Sequence, residues 1–338
     1  MIMDAYTPPF EITNSMVDRI SSIMKSIGKL DSYEDFSKMP YLRRNGRIRS
    51  VHSSLAIEAN SLTFEQVQDV IDGKTVTGPE NEIQEVKNAY EAYGMIREID
   101  PYSVQDLKKI HGVMTRRTVK ESGCFRKGNE GVFDENGNCI RVCPPPEFID
   151  GLMKQLFAWM RKNRDVINPL ILSSVFHYEF VFIHPFADGN GRTARLWQNA
   201  LLADWEGIFE YLPIESQIKK YQTDYYTAIN NSNRSGSSTE FVEFMLKMID
   251  GTLLEAVRSS ALQERHKSLY INRLLEVMVP GVQLTTSEMM RELGLKSRAS
   301  FRKNYLLPAI ESGLIKMTEP DKPTSRNQMY YTEINRGD

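Results

Sequence analysis

Residues 184–195 read HPFADGNGRTAR, from His184 to Arg195, and helical apolar spacing follows at Leu196, Trp197, Ala200, Leu201 and Trp205. Glycine lets an anion approach the backbone closely, Asn tolerates left-handed geometry, and a helix start presents free N–H groups. Gly189, Asn190 and Gly191 are therefore expected to form a phosphate nest. Arg192 and Arg195 fall in the first helical turn, three apart, where the helix dipole disfavours cations unless polyphosphate is bound. Asp188 offers the kind of oxygen ligand that Mg²⁺ takes when water and phosphate supply the rest. His184, with a reference pKa of about 6.5, can accept a proton from a hydroxyl nucleophile. Singly, each residue has an ordinary reading as a structural His, a turn or a solvated Arg face. An unreactive loop has no need of base, metal ligand, nest and two cations within twelve residues.

Other phosphate and hydrolase signatures are missing. No GxxxxGK[ST] occurs, His177 and His184 lack HExxH spacing, and there is no GxSxG.

Working outward, helical spacing predicts helices over 11–27, 43–59, 80–99, 218–230 and 239–259. Thr63 with Gln66 has the form of a capping box, with Gly73 to close that helix. Ser103 can cap a helix through Met114, while Pro144–Pro146 and Asn168-Pro169 open two more. The latter must end by Pro185. Val132 to Val142, around Asn136-Gly137, reads as a hairpin. Arg265, His266 and Lys267 interrupt the apolar pattern and suggest a boundary. Beyond them lie a helix (270–279), a helix (286–293), a turn at Gly294, a helix (297–312) and strands at 314–317 and 329–332, the layout of a winged helix-turn-helix.

The 338 residues suffice for one large helical unit and a small one, with 41% hydrophobic and 25% charged residues, as in ordinary globular proteins. A net charge of −2 excludes a global field for nucleic acid or anionic lipid. Cys124, Cys139 and Cys143 form no CxxC pair, so reduced thiols are expected. With no signal peptide or apolar span, the expected compartment is the cytoplasm and no membrane partner is expected.

The run from His184 to Arg195 matches HPFx[DE]GNGRxxR at every defined position, and the chain thereby resembles the Fic (filamentation induced by cAMP) family. The element Gly123 to Arg126, the hairpin and PPP segment, and Tyr225-Tyr226 with Asn233 extend the resemblance. It implies a mainly α fold: a Fic-type helical bundle with a β-hairpin flap, plus the C-terminal winged helix-turn-helix. The expected divisions are an N-terminal helical region (1–100), a catalytic core (101–260) and the winged unit (261–338). The implied activity is transfer of AMP from ATP to a Ser, Thr or Tyr hydroxyl of a target protein. His184 would be the base, Asp188 the Mg²⁺ ligand, Gly189–Gly191 the anion hole, and Arg192 and Arg195 the partners of the outer phosphates. Tyr225 and Asn233 would contact the adenosine. The family's inhibitory motif [ST]xxxE[GN] is matched at Ser54 and Glu58, with Ala59 in place of Gly or Asn and Asn60 next to end the helix. Glu58 is expected to pair with Arg195.

The C-terminal unit carries Lys296, Arg298, Arg302 and Lys303 on its third helix and Lys322 and Arg326 in its loop, with twelve basic and nine acidic residues from 261 onward. DNA binding and protein docking are equally served, and a homodimer is left open. The rival reading is a DNA-binding transcriptional regulator with a nucleotide-sensing domain. The intact His184 favours the enzyme, since a sensor needs the nest but not the base.

Overall fold

The structure, a computed structural model, describes residues 6–31, 40–133, 139–279, 281–323 and 325–332. The Asn136-Gly137 turn lies outside the described residues, as do the side chains of Arg265, His266 and Lys267. The protein is mainly helical and divides into two compact units, Met1–Val257 and Arg258–Asp338.

The first unit opens with α1 (Asn14–Asp31), α2 (Pro40–Ile57), α3 (Phe64–Ile71), α4 (Glu80–Gly94) and α5 (Val104–Met114). Thr63 and Gln66 close the reciprocal capping box on α3, and the Ser103 side chain accepts from the Asp106 N–H at the start of α5. Strands β1 (Gly131–Phe133) and β2 (Cys139–Val142) pair antiparallel with Gly131 opposite Val142, and the register shifts between Val132 and Phe133. Then follow α6 (Pro146–Asn163), α7 (Pro169–Ile183) and α8 (Asn190–Trp205), a 3₁₀ turn (Gly207–Glu210), α9 (Ile214–Lys220) and α10 (Gln222–Ser235). The predicted single helix over 218–230 is thus two, broken at Tyr221.

Burial of α7 on every face fixes the centre of this unit: Leu170, Val175, Phe176 and Phe180 are fully covered. Each contributes roughly 2–3 kcal/mol of apolar transfer energy. Trp197 on α8 packs edge-on to Phe157 of α6 and donates its indole N–H to the Pro101 carbonyl. The α7–α8 connection, 184–189, is therefore held between two of the most buried helices.

α11 (Thr239–Glu276) does not stop near Ser259 as the sequence suggests. It runs on through Arg265, His266 and Lys267, because Arg and Lys favour helix and supply no breaker. In the second unit α12 (Thr286–Glu292), Gly294 in left-handed geometry, α13 (Arg298–Phe301), a π turn (Arg302–Leu306) and α14 (Leu307–Glu311) precede the paired strands β3 (Lys316–Met317) and β4 (Tyr330–Tyr331). The π turn sits just before Pro308, which has no N–H for an α-type bond. Leu274, Met289, Phe301, Ala309 and Ile315 form this unit's own core. No helix among the described residues is long and apolar enough to cross a membrane.

Candidate active site

His184 caps α7 in the left-handed region (φ 53°), its N–H bonded to the Phe180 carbonyl. A non-glycine residue there costs about 1–2 kcal/mol and must be held from outside. Arg126 does this. Its Nε donates to the His184 carbonyl at 2.8 Å, its backbone N–H to the Pro185 carbonyl at 2.9 Å, and its remaining nitrogens to the Gly128 and Pro144 carbonyls. The His184 Nδ1 lies 3.4 Å from the Val181 carbonyl, which can only accept, so Nδ1 carries the proton and Nε2 the lone pair. Burial, reinforced by Arg141 and Arg126, pushes its pKa down to about 4, leaving the imidazole neutral at pH 7.

The loop between His184 and α8 is shaped by side chains rather than by the glycines alone. Phe186 is fully buried and stacks on His111 at 3.6 Å between centroids. The His111 Nδ1 accepts from the Gly123 N–H and its Nε2 donates to the Asp188 carbonyl, each at 2.9 Å. Burial pushes His111 down to about 4, consistent with a neutral ring bonded at both nitrogens. Asn190 bonds both the N–H and the carbonyl of Phe186, so its amide shapes the turn while its backbone begins α8. Gly189 is left-handed (φ 78°), and a Cβ there would press on Thr115. The Thr193 N–H reaches back to Gly189, which leaves the N–H groups of Asn190, Gly191 and Arg192 as the unsatisfied first turn.

Three carboxylates surround this positive helix end. Arg192 pairs with Glu85 at 2.7 Å and with Asp188 at 3.2 Å, while Arg195 pairs with Glu58 at 2.8 Å. Arg195 also donates to the Ser54 hydroxyl and carbonyl, and its Nη1 is buried with no partner. A Cβ on Gly191 would collide with Glu58 Oε1, so that carboxylate lies directly over the nest. Glu58 thus meets Arg195, as the family resemblance implied, and Ser54 joins it there, which the sequence reading did not foresee. The two arginines do not share partners, however: Arg192 turns to Glu85, which sequence reading missed.

α2 ends in a Schellman pattern, with the Asn60 N–H bonded to the Leu55 carbonyl and the Ala59 N–H to the Ala56 carbonyl. Ala59, not Asn60, takes the left-handed position (φ 64°). Asn60 instead bonds Glu85 Oε2 at 3.0 Å, linking the end of α2 to Arg192 through one carboxylate.

Tyr225 is fully enclosed, its hydroxyl 3.0 Å from His177 Nε2 and beside Arg195. Asn233 accepts from the Tyr178 hydroxyl at 3.0 Å. Tyr225 thus meets the 184–195 run through Arg195, whereas Asn233 is bonded to α7. Asp188 is exposed at 62% of its side chain, and among the described residues no three His, Cys, Asp or Glu side chains converge as a metal cage.

A buried helix pair joined by a hydrogen-bonded loop, with a neutral imidazole at one end, free first-turn N–H groups at the other and two buried arginines beside them, is a helical architecture suited to holding an anion next to a proton acceptor. Comparison with known proteins narrows it. Residues 101–202 match the model of the Fic/DOC family, and residues 270–332 that of the Fic-like C-terminal domain. A solved structure of a Fic family protein from Desulfovibrio desulfuricans is 39% identical, covers 98% of this chain and 100% of its own, and superposes with a TM-score of 0.73. The chain belongs to the Fic family. The protein adenylyltransferase Fic of Nematostella vectensis is 29% identical over 60% of this chain, and that of Aedes aegypti 30% over 61%. The chain spans under half the length of these curated relatives, 47% and 41% respectively.

Proposed function

We propose that this chain transfers AMP from ATP to a hydroxyl of a target protein and is held off by Glu58. The observation that carries the reading is the Glu58 carboxylate lying over Gly191 and paired with Arg195, in the place where the nest and an unpartnered guanidinium N–H would take a phosphate.

In the proposed reaction the target hydroxyl gives its proton to Nε2 of His184. Its oxygen forms a bond to the α-phosphorus as the α–β phosphoanhydride bond breaks and pyrophosphate leaves. The first-turn N–H groups of α8 receive the charge that develops on the phosphoryl oxygens, already oriented and so at little reorganisation cost. Arg195, freed from Glu58, and Arg192 would steady the outer phosphates. Asp188, an exposed carboxylate that Arg192 contacts from one side, fits an ion that draws most ligands from water and phosphate. Mg²⁺ held there would neutralise phosphate charge. Asn233 is assigned to the adenosine, as the resemblance implies, while Tyr225, enclosed and bonded to His177 and Arg195, is better suited to positioning Arg195 than to the adenosine contact first expected of it.

Glu58→Gly protein should label a target with [α-³²P]ATP well above the unaltered chain, and His184→Ala in that background should lose labelling while still binding ATP. No rise with Glu58→Gly would overturn the inhibitory role; labelling that survives His184→Ala would overturn the base.

A further inference from the structure

The last turn of α7 leaves two carbonyls that the helix itself cannot use. That of Val181 faces position 185, where proline has no N–H, and the N–H that would serve Phe182, that of Phe186, goes to the Asn190 side chain at 3.0 Å. Arg141, on β2, takes both. Its Nη1 donates to the Phe182 carbonyl at 2.6 Å and its Nη2 to the Val181 carbonyl at 3.1 Å, with the guanidinium carbon 4.8 Å from the centre of the Phe182 ring. A planar fork can span two neighbouring carbonyls, whereas an ammonium is a point donor.

The Val181 carbonyl is also the acceptor 3.4 Å from Nδ1 of His184. One oxygen therefore meets both the guanidinium from the hairpin and the ring of the proposed base. Arg141 is partly buried, which lowers its pKa from the ordinary arginine value while leaving it a cation. A cation so placed is usually matched by an anion, yet among the described residues no carboxylate pairs with it. Its charge thus falls on the neighbouring imidazole. The charged groups that bear on His184 are Arg141 from β2, Arg126 from the loop before β1 and, in the opposite sense, Glu58 from α2. Arg126 holds the carbonyl of His184 itself, and Arg141 the turn behind the ring.

We infer that Arg141 is a positioning residue for His184: from the hairpin it closes the last turn of α7 and shares with the imidazole the carbonyl that leaves Nε2 free to take a proton. The inference rests on the reading of His184 as the base. It makes hairpin and base one unit, because a displacement of β2 at Arg141 changes the ring's acceptor and its electrostatic surroundings together.

The test is long-range ¹H–¹⁵N spectroscopy of the full chain with ¹⁵N-labelled histidine, the His184 signals being those lost in His184→Ala. The ring is followed from pH 7.5 down to 4.5 while the backbone amide spectrum reports the fold. In the unaltered chain His184 should carry its proton on Nδ1 and stay largely neutral down to about pH 5. Arg141→Gln, which removes the charge but can still donate to one carbonyl, should raise the ring's midpoint by about one pH unit. Arg141→Lys, which keeps the charge and loses the fork, should leave the midpoint nearly in place. In both variants the His184 backbone N–H, bonded within that turn, should exchange with solvent about tenfold faster. An unmoved midpoint in Arg141→Gln, or equal midpoints in the two variants, would overturn the proposal and leave the arginine a plain tether. A ring already charged at pH 6 in the unaltered chain, or protonated on Nε2, would overturn it whatever the variants do. AMP transfer in the Glu58→Gly background is read separately. Its absence throughout, with the midpoint shift intact, would remove the reaction proposed for His184 and leave the hold of Arg141 on the ring standing.

Discussion

Ala59 occupies a backbone position that L side chains seldom adopt, at the residue following the proposed inhibitory carboxylate. The left-handed cost of a Cβ is about 1–2 kcal/mol, partly offset because Gly is freer in the unfolded chain by about 0.4–1 kcal/mol. Ala59→Gly should therefore raise stability by up to about 1 kcal/mol, read as a higher urea midpoint with unchanged slope. It should also seat Glu58 more firmly, lowering residual AMP transfer by up to about fivefold. A midpoint at or below that of the unaltered chain would show that the end of α2 is not strained. The same residue bears on the reading of the motif. The usual Gly or Asn is explained by this geometry, and the departure to Ala is tolerated because two Schellman hydrogen bonds hold the turn.

At the scale of elements, the end of α2 is held by groups from the α9–α10 break. Lys219 Nζ donates to the Ala56 carbonyl at 2.7 Å, a second donor beside the Ala59 N–H, and Gln222 Nε2 donates to the Ile57 carbonyl at 3.1 Å, which the helix end leaves free. Lys219→Met with Gln222→Ala should remove roughly 1–2 kcal/mol of docking and raise basal AMP transfer some 5- to 30-fold without altering the Glu58→Gly protein. If both backgrounds rise equally, the contacts act elsewhere than on Glu58. These partners mark the limit of sequence reading. The caps at Thr63, Ser103 and Asn168 were legible because each involves neighbours two or three residues away. Arg126 on the His184 carbonyl, His111 on the Asp188 carbonyl and Glu85 on Arg192 join residues 58, 77 and 107 apart. In sequence His111 and Glu85 look like any polar residue on a helix, and Arg126 stands out only as the end of the Gly123–Arg126 element, with nothing to name its partner. The break at Tyr221 carries no Gly or Pro. Glu215, fully buried among Ser50, Tyr93 and Asn199, ties α2, α4 and α8 to α9 with no pattern to announce it.

At the scale of the whole first unit, buried titrating groups set how stability varies with pH. Burial pushes His111 and His184 down to about 4 and His177 to about 3, and lowers half-buried His52 as well. These imidazoles stay neutral when folded and gain protons on unfolding. Between about pH 4 and 6.5 the unfolded chain therefore binds more protons, and stability rises with pH. Glu179 acts in the opposite sense. Burial raises it to about 7, against the opposing hydrogen bond from Tyr6, so it is protonated in the folded state and its contribution is lost as pH rises from 4.5 through 7. Three imidazoles against two carboxyls, since burial also raises Glu215, leave stability rising with pH near pH 5 and flattening as pH 6.5 is approached. Glu179→Gln keeps a neutral partner for the Tyr6 hydroxyl but removes the opposing titration. Its urea-derived stability between pH 5 and 6.5 should climb more steeply, by about 1.4 kcal/mol per pH unit, than that of the unaltered chain. Equal slopes in the two proteins would mean that Glu179 is ionised in the folded unit, and stability falling across that interval would mean that the three imidazoles are charged there.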